Sequence, residues 1–129
     1  MLVIDASVAF VASAAPDGFG LLPEDLVAPP LMWSEARAAP RMRWWQGVLD
    51  IGDAVRALER LEASPVSRRS PGGLDREAWD VAVELGWART YEAEYVGLAR
   101  LLRCRLVTLD TRLRRGTDRL GFVISPGEL

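Results

Sequence analysis

Short apolar runs, each ended by polar or turn-forming residues, recur along the chain. Residues 2–4, 105–109 and 122–125 form three such runs, and residues 65–70 form a fourth that two arginines interrupt. Continuous apolar runs of this length are typical of the buried strands of a parallel sheet. The pattern therefore predicts a small parallel sheet.

Apolar residues at helical spacing fill most of the chain between these runs. They predict helices over residues 7–14, from Ser34 onward, and over 52–62, 75–85 and 90–104. Ser34 is expected to cap the second of these helices, and Pro40 to bend or end it.

Two segments carry more specific expectations. Residues 15–30 contain four prolines and two glycines, which predicts a loop with at most one helical turn, around residues 24–27. The helix over residues 75–85 is expected to begin with Asp75 as its cap and to stop at Gly86. Its predicted inward face consists of Ala78, Trp79, Ala82, Val83 and Leu85.

Strands that alternate with helices indicate an α/β fold. We expect residues 1–129 to form a single domain, with the parallel sheet sandwiched by α-helices. Right-handed crossovers place the C-terminal ends of parallel strands along one edge of the sheet. Ligands of such sheets bind at that edge, so we expect the functional residues to lie there.

The composition excludes several kinds of site. The chain has no histidine and no lysine, and Cys104 is its one cysteine. These absences exclude histidine-based triads, P-loops, Schiff bases and cysteine-clustered zinc sites. The net charge is −2, which argues against nucleic-acid binding by charge alone. No apolar stretch is long enough for a membrane span and no basic segment follows Met1, so we expect a cytoplasmic protein.

Carboxylates are the remaining candidates for catalysis. Asp5 and Asp110 each follow a predicted strand, while Glu35 and Glu92 lie in the first turns of predicted helices. If these four converge, they form an oxygen-only site of the kind that Mg²⁺ or Mn²⁺ prefers, which usually serves phosphoryl chemistry. Each acid alone has an equally good structural explanation, as a helix cap or as a charge that favours the helix dipole.

The order and spacing of the segments that carry these acids resemble those of PIN-domain ribonucleases, particularly the VapC toxins of bacterial toxin–antitoxin pairs. The similar segments are residues 2–9, 28–35, 90–99 and 106–113. The resemblance implies a metal-dependent endoribonuclease that leaves a 5′-phosphate and a 3′-hydroxyl. It implies Asp5, Glu35, Glu92 and Asp110 as catalytic metal ligands for Mg²⁺ or Mn²⁺, with the Ser7 hydroxyl ordering the site. It also implies an RNA substrate, a cognate antitoxin protein and a homodimer.

The chain departs from the family pattern at two positions. Glu92 stands where the family usually has Asp, and the longer arm would shift the metal, weaken activity or leave room for one ion instead of two. Pro40 interrupts a helix that is usually continuous. Glu94 is an alternative ligand, but residues two apart on a helix point away from each other, and the family match falls on Glu92.

Arginines and tryptophans supply the candidate contacts with partners. Arg112, Arg114 and Arg115 are expected to hold the RNA backbone, more so than Arg37, Arg41 and Arg43. Either cluster could instead balance surface acids. Trp44 or Trp45 is expected to be exposed and to join an interface within residues 34–62. Trp33, Trp79 and Trp87 are expected in the core, and Cys104 is expected to be structural.

The function that competes with the nuclease is non-enzymatic. In that interpretation Glu92 misplaces the metal, and the chain is an inactive PIN fold that acts as a partner-binding module. Haloacid dehalogenase phosphatases and receiver domains also begin with a strand followed by Asp. Both require a lysine, which this chain lacks.

Overall fold

The computed structural model describes residues 1–129, with all elements arranged around one sheet. The strands are β1 (Leu2–Ile4), β2 (Leu26–Ala28), β3 (Ser67–Arg68), β4 (Arg105–Val107) and β5 (Val123–Ile124). The α-helices are α1 (Ala6–Ser13), α2 (Leu31–Trp45), α3 (Ile51–Glu62), α4 (Leu74–Leu85), α5 (Tyr91–Leu102) and α6 (Thr111–Gly116). Short 3₁₀ turns cover Gly18–Leu21, Asp118–Leu120 and Pro126–Glu128.

The sheet has the order β3-β2-β1-β4-β5, and every neighbouring pair is parallel. β1 lies at the centre, and its three residues have no exposed surface. Val3 pairs with Val27 on one side and with Leu106 on the other. The predicted α/β fold with a small parallel sheet is therefore confirmed.

β2 was not expected, and the helical turn predicted around residues 24–27 is wrong. Leu26, Val27 and Ala28 form an apolar strand that is buried against β1. The four prolines that indicated a loop lie outside the strand, Pro16 and Pro23 before it and Pro29 and Pro30 after it, and so cost the sheet no hydrogen bond. The strand's pairing with β1 thus overrides the loop-like composition around it.

α2 begins earlier and ends later than predicted. It starts at Leu31, directly after Pro30, where a proline suits a helix N-terminus. Ser34 is therefore inside the helix and is not its cap, and Glu35 is its fifth residue. Pro40 is buried within α2, and the helix continues to Trp45.

The predicted cap and inward face of α4 are partly wrong. Its N-cap is Gly73, and Asp75 is instead an acidic residue of the first turn. Trp79 and Val83 are exposed, so their predicted inward position is wrong. Ala78 and Ala82 are buried as predicted, and Val81 is buried although it was not predicted to be.

α5 packs closely on α4. A Cβ atom at Gly97 would lie 3.2 Å from the backbone nitrogen of Ala78, so the missing side chain allows this approach. α5 ends at Leu102, so Cys104, which was predicted to lie within this helix, follows it as a half-buried free thiol. The contact with α4 fixes the helix that carries Glu92.

None of the helices combines the length and the apolar character that crossing a membrane requires.

Candidate active site

Asp5 lies immediately after the central strand and is almost completely buried, at 5% exposure. It is the N-cap of α1, since its Oδ1 atom accepts a hydrogen bond from the backbone N–H of Val8 at 3.1 Å. The same oxygen accepts from the Ser7 hydroxyl at 2.5 Å, and Oδ2 accepts from the Thr108 hydroxyl. Burial raises the pKa of Asp5, and these hydrogen bonds oppose that increase.

Ser7 connects the ends of two strands. Its hydroxyl donates to Asp5 and accepts from the backbone N–H of Leu109 at 3.0 Å. Leu109 follows β4, so Ser7 holds the loop after β4 close to the end of β1.

Asp110 follows β4 at the same edge of the sheet as Asp5. Its Oδ1 atom accepts from the backbone N–H groups of Arg112 at 2.9 Å and Leu113 at 3.2 Å, which makes it the N-cap of α6. Its own N–H donates to the Thr108 hydroxyl at 3.0 Å. Thr108 therefore lies between the two aspartates and contacts both residues.

Glu35 and Glu92 line a cavity of about 580 Å³, to which Tyr91 and Arg112 also contribute. Glu35 comes from α2, and its Oε1 atom accepts a hydrogen bond from the Tyr95 hydroxyl at 2.6 Å. Glu92 lies in the first turn of α5 and forms an ion pair with Arg112, whose Nη2 atom is 2.8 Å from Oε1. The cavity is thus lined by acidic residues from α2 and α5 and by an arginine from α6.

The negative charges of this region influence one another. Burial raises the pKa of Tyr95 far above its usual range, helped by the hydrogen bond to Glu35 and by the charges of Glu35, Asp5 and Glu94. Burial also raises the pKa of Glu94, with smaller contributions from Asp75 and Glu35. Arg112 and Leu113, whose N–H groups bind Asp110, also line the cavity, so the aspartate pair and the cavity are neighbours.

Comparisons with known proteins identify the family. The chain is 35% identical over 116 residues to the VapC ribonuclease Mb0985 of Mycobacterium bovis and to ribonuclease VapC9 of Mycobacterium tuberculosis, and each match covers 88% of both chains. This chain belongs to the VapC ribonuclease family. The crystal structure of PAE2754 from Pyrobaculum aerophilum, a PIN-domain protein, superposes with a TM-score of 0.78 at 28% identity, covering 98% of this chain and 90% of that one. No family model matches the chain.

The four acids implied by the resemblance to VapC form two pairs and are not gathered around one point. Asp5 and Asp110 are joined through Thr108, whereas Glu35 and Glu92 line the cavity. No three carboxylates or thiols of the structure form a group that could hold a metal ion. Their chemistry still suits Mg²⁺ or Mn²⁺, because all four supply oxygen ligands. Their role as metal ligands stays a prediction.

Of the arginines predicted to bind RNA in this VapC chain, Arg112 lies on the cavity. Arg114 is held by Glu128 and Asp118, with nitrogen–oxygen distances of 2.9 and 2.7 Å. Arg115 is exposed. Arg112 is therefore the arginine of this cluster that the structure places beside a predicted site residue.

Thr108 and Tyr95 contact the predicted site acids, and neither was itself predicted from the sequence to have a role there. Thr108 is a buried hydroxyl residue at the end of an apolar run, two residues before Asp110. That unusual combination was the signal that could have identified it. Tyr95 lies in the apolar part of α5, where an aromatic residue is most simply explained as core, so nothing in its spacing indicated that its hydroxyl reaches Glu35.

Proposed function

We propose that this VapC family member is a metal-dependent endoribonuclease that hydrolyses phosphodiester bonds of RNA, as the toxin of a toxin–antitoxin pair. The observation that carries the proposal is the position of Asp5 and Asp110 at the ends of neighbouring parallel strands, next to a cavity lined by Glu35 and Glu92. Its relatives, at 35% identity, are named as ribonucleases. RNA is the proposed substrate and the cytoplasm the proposed location.

Asp5, Glu35, Glu92 and Asp110 are proposed to hold Mg²⁺ or Mn²⁺. When bound, such an ion activates water and neutralises charge that develops on the phosphate. Ser7 and Thr108 keep the Asp5 carboxylate in one orientation by hydrogen bonds to its two oxygens. These contacts favour its ionised form, which is the form that binds a cation.

Arg112 is proposed to receive the RNA backbone. Its guanidinium group is mostly exposed at the mouth of the cavity, and its partner Glu92 is partly exposed as well. An exposed ion pair of this kind is weak, so a phosphate can replace Glu92 as the partner. The planar guanidinium can then donate two hydrogen bonds to the phosphate. Arg114, already held by Glu128 and Asp118, has less capacity for this.

The proposed homodimer uses the exposed apolar side chains at the end of α2 and the start of α3. Trp45, Val48 and Ile51 are each more than half exposed. A groove of about 430 Å³ between α2 and α3, lined in part by Arg41 and Trp44, continues this surface. The proposed antitoxin is a separate protein chain.

The nuclease activity is tested with the metal-free protein on a set of RNAs, with Mg²⁺ and Mn²⁺ titrated separately. Wild type should cleave RNA with either metal, and cleavage should stop when a chelator is added. Asp5→Asn should abolish cleavage. Asp17→Asn is the matched control, because Asp17 is exposed and its side chain makes no capping bond. Cleavage without a divalent ion, or by Asp5→Asn, would contradict the proposal. No cleavage by wild type with either metal would favour a partner-binding module.

A further inference from the structure

Tyr95 is a core residue whose only polar atom contacts a proposed site acid. The side chain lies on α5 and the residue is 2% exposed. Its ring packs within the hydrophobic core. Its hydroxyl donates to the Oε1 atom of Glu35 on α2, at 2.6 Å. Phenylalanine would fill the same space, so packing alone does not explain the hydroxyl.

Glu35 has the opposite environment. It is exposed, and it borders the open cavity that Glu92 and Arg112 also line. It forms no ion pair, and the Tyr95 hydroxyl is its one side-chain hydrogen-bond partner. A free glutamate at an exposed position samples many rotamers, and a ligand must give up that freedom when it binds an ion. The hydrogen bond from a buried, rigid ring therefore fixes an otherwise mobile carboxylate.

We propose that Tyr95 is a positioning residue for metal binding, which holds the Glu35 carboxylate at the cavity that Glu92 also lines. The inference rests on the proposed function, since it assigns Glu35 to a metal site. Tyr95 donates to one oxygen of Glu35 and leaves the other free for the ion. Removal of such outer partners of metal ligands typically lowers metal affinity by about 10- to 100-fold.

The test is Mn²⁺ binding to the purified protein, measured by calorimetry and by the electron paramagnetic resonance signal of free Mn²⁺. Tyr95→Phe removes the hydroxyl and keeps the ring. Because water can replace the phenol as the partner of the exposed Glu35, the variant should remain folded, which urea unfolding checks. We expect Mn²⁺ affinity to fall by about tenfold or more. RNA cleavage should fall at limiting Mn²⁺ and recover at saturating Mn²⁺, with an unchanged KM for RNA.

Ser13→Ala is the matched control. Ser13 is also buried, and its hydroxyl donates to the carbonyl of Ala9 at the far end of α1 from Asp5. This variant loses a buried hydroxyl away from the cavity, so its Mn²⁺ affinity should equal that of wild type. An equal loss in Ser13→Ala and Tyr95→Phe would show a general effect of destabilisation and would overturn the proposal.

A double-mutant cycle distinguishes positioning through Glu35 from an independent effect. Glu35→Asp keeps the charge but shortens the arm, so that the carboxylate withdraws from the Tyr95 hydroxyl. Tyr95→Phe should then lower Mn²⁺ affinity no further. Additive losses of Mn²⁺ affinity in the double variant, or wild-type affinity in Tyr95→Phe, would overturn the inference. Cleavage of RNA by wild type would in that case still support the nuclease proposal. Wild type that neither binds Mn²⁺ nor cleaves RNA would overturn both.

Discussion

The Thr108 hydroxyl donates a hydrogen bond to the buried carboxylate of Asp5, although 103 residues separate the two in the sequence. The contact follows from the sheet, because Ile4 of β1 pairs with Val107 of β4 and the next residue of each strand is therefore adjacent. The same hydroxyl accepts from the N–H of Asp110. One side chain thus satisfies polar groups of both aspartates at this edge.

Thr108→Val should destabilise the protein. It removes a donor from the buried Asp5 carboxylate and an acceptor from the Asp110 N–H, and an unsatisfied buried polar group costs about 1–3 kcal/mol. Thr108→Ser is the control, because it keeps the hydroxyl and loses only a methyl group. Urea unfolding near neutral pH measures both. If the valine variant were as stable as the serine variant, the hydroxyl would not have the role described.

The raised pKa of Asp5 predicts how stability changes with pH. The folded protein binds this proton more tightly than the unfolded chain does, so the stabilisation from Asp5 is fully present below the unfolded pKa of about 4. It is lost as the pH rises through the higher pKa of the folded state. Asp5→Asn lacks this loss, so the free energy of unfolding of the variant, minus that of wild type, should increase between about pH 4 and pH 7.

The comparison with Asp5→Asn is needed because other acids act in the opposite direction. Arg114 lowers the pKa of Glu128 to about 2, so that Glu128 stabilises the folded state above its unfolded pKa and loses this effect as the pH falls. That contribution is common to wild type and variant and cancels in the difference. Urea unfolding in a chelating buffer at several pH values gives the result. A difference that is independent of pH would contradict the assignment to Asp5.

Local pattern was sufficient for most elements of the fold and failed where tertiary contacts decide. β1 and β4 are continuous apolar runs and were predicted as strands. β2 was missed because its three apolar residues lie among prolines and glycines, and only pairing with β1 makes them a strand. Trp79 was misplaced because hydrophobicity alone did not show which face of α4 meets α5.

The candidate site shows a similar division. The position of Asp5 and Asp110 after parallel strands was sufficient to place them at one edge of the sheet. The contact between Tyr95 and Glu35 joins residues that are 60 positions apart on two different helices, α5 and α2. No periodicity within either helix contains that information. Side-chain contacts between elements therefore had to come from the structure.

Trp45 is expected to lose its exposure in a homodimer. It is 72% exposed at the end of α2, beside Val48 and Ile51. Aromatic residues at the centre of an interface commonly contribute about 2 kcal/mol or more to association. Trp45→Glu should therefore weaken the dimer at least about tenfold in sedimentation equilibrium.

Trp79→Glu is the matched control for Trp45→Glu. Trp79 is also exposed, but it lies on α4, away from the proposed face. This variant should dimerise as wild type does. Wild type that remains a monomer at high concentration would contradict the homodimer. Equal dissociation constants for Trp45→Glu and wild type would contradict the proposed face. Neither result would bear on the nuclease proposal.

Glu92 is the acid at which this chain differs from the usual VapC pattern, so changes there are the most informative. Glu92→Gln should lower Mg²⁺-dependent RNA cleavage, because it removes the charge of a ligand. Glu92→Asp should keep or raise cleavage, because it restores the usual shorter arm. The ion pair with Arg112 is partly exposed, so Glu92→Gln should change the free energy of unfolding by no more than about 1 kcal/mol.

Glu94→Gln separates the two acids of α5. The pKa of Glu94 is raised in part by the charge of Glu35, so Glu94 also lies within the influence of the proposed site. If Glu92 is the ligand, Glu92→Gln should lower cleavage and Mn²⁺ affinity much more than Glu94→Gln does. The reverse order would assign the ligand to Glu94 and leave Glu92 as the partner of Arg112. Equal activity of wild type and both variants would remove the first turn of α5 from the metal site, because neither carboxylate would then be needed there.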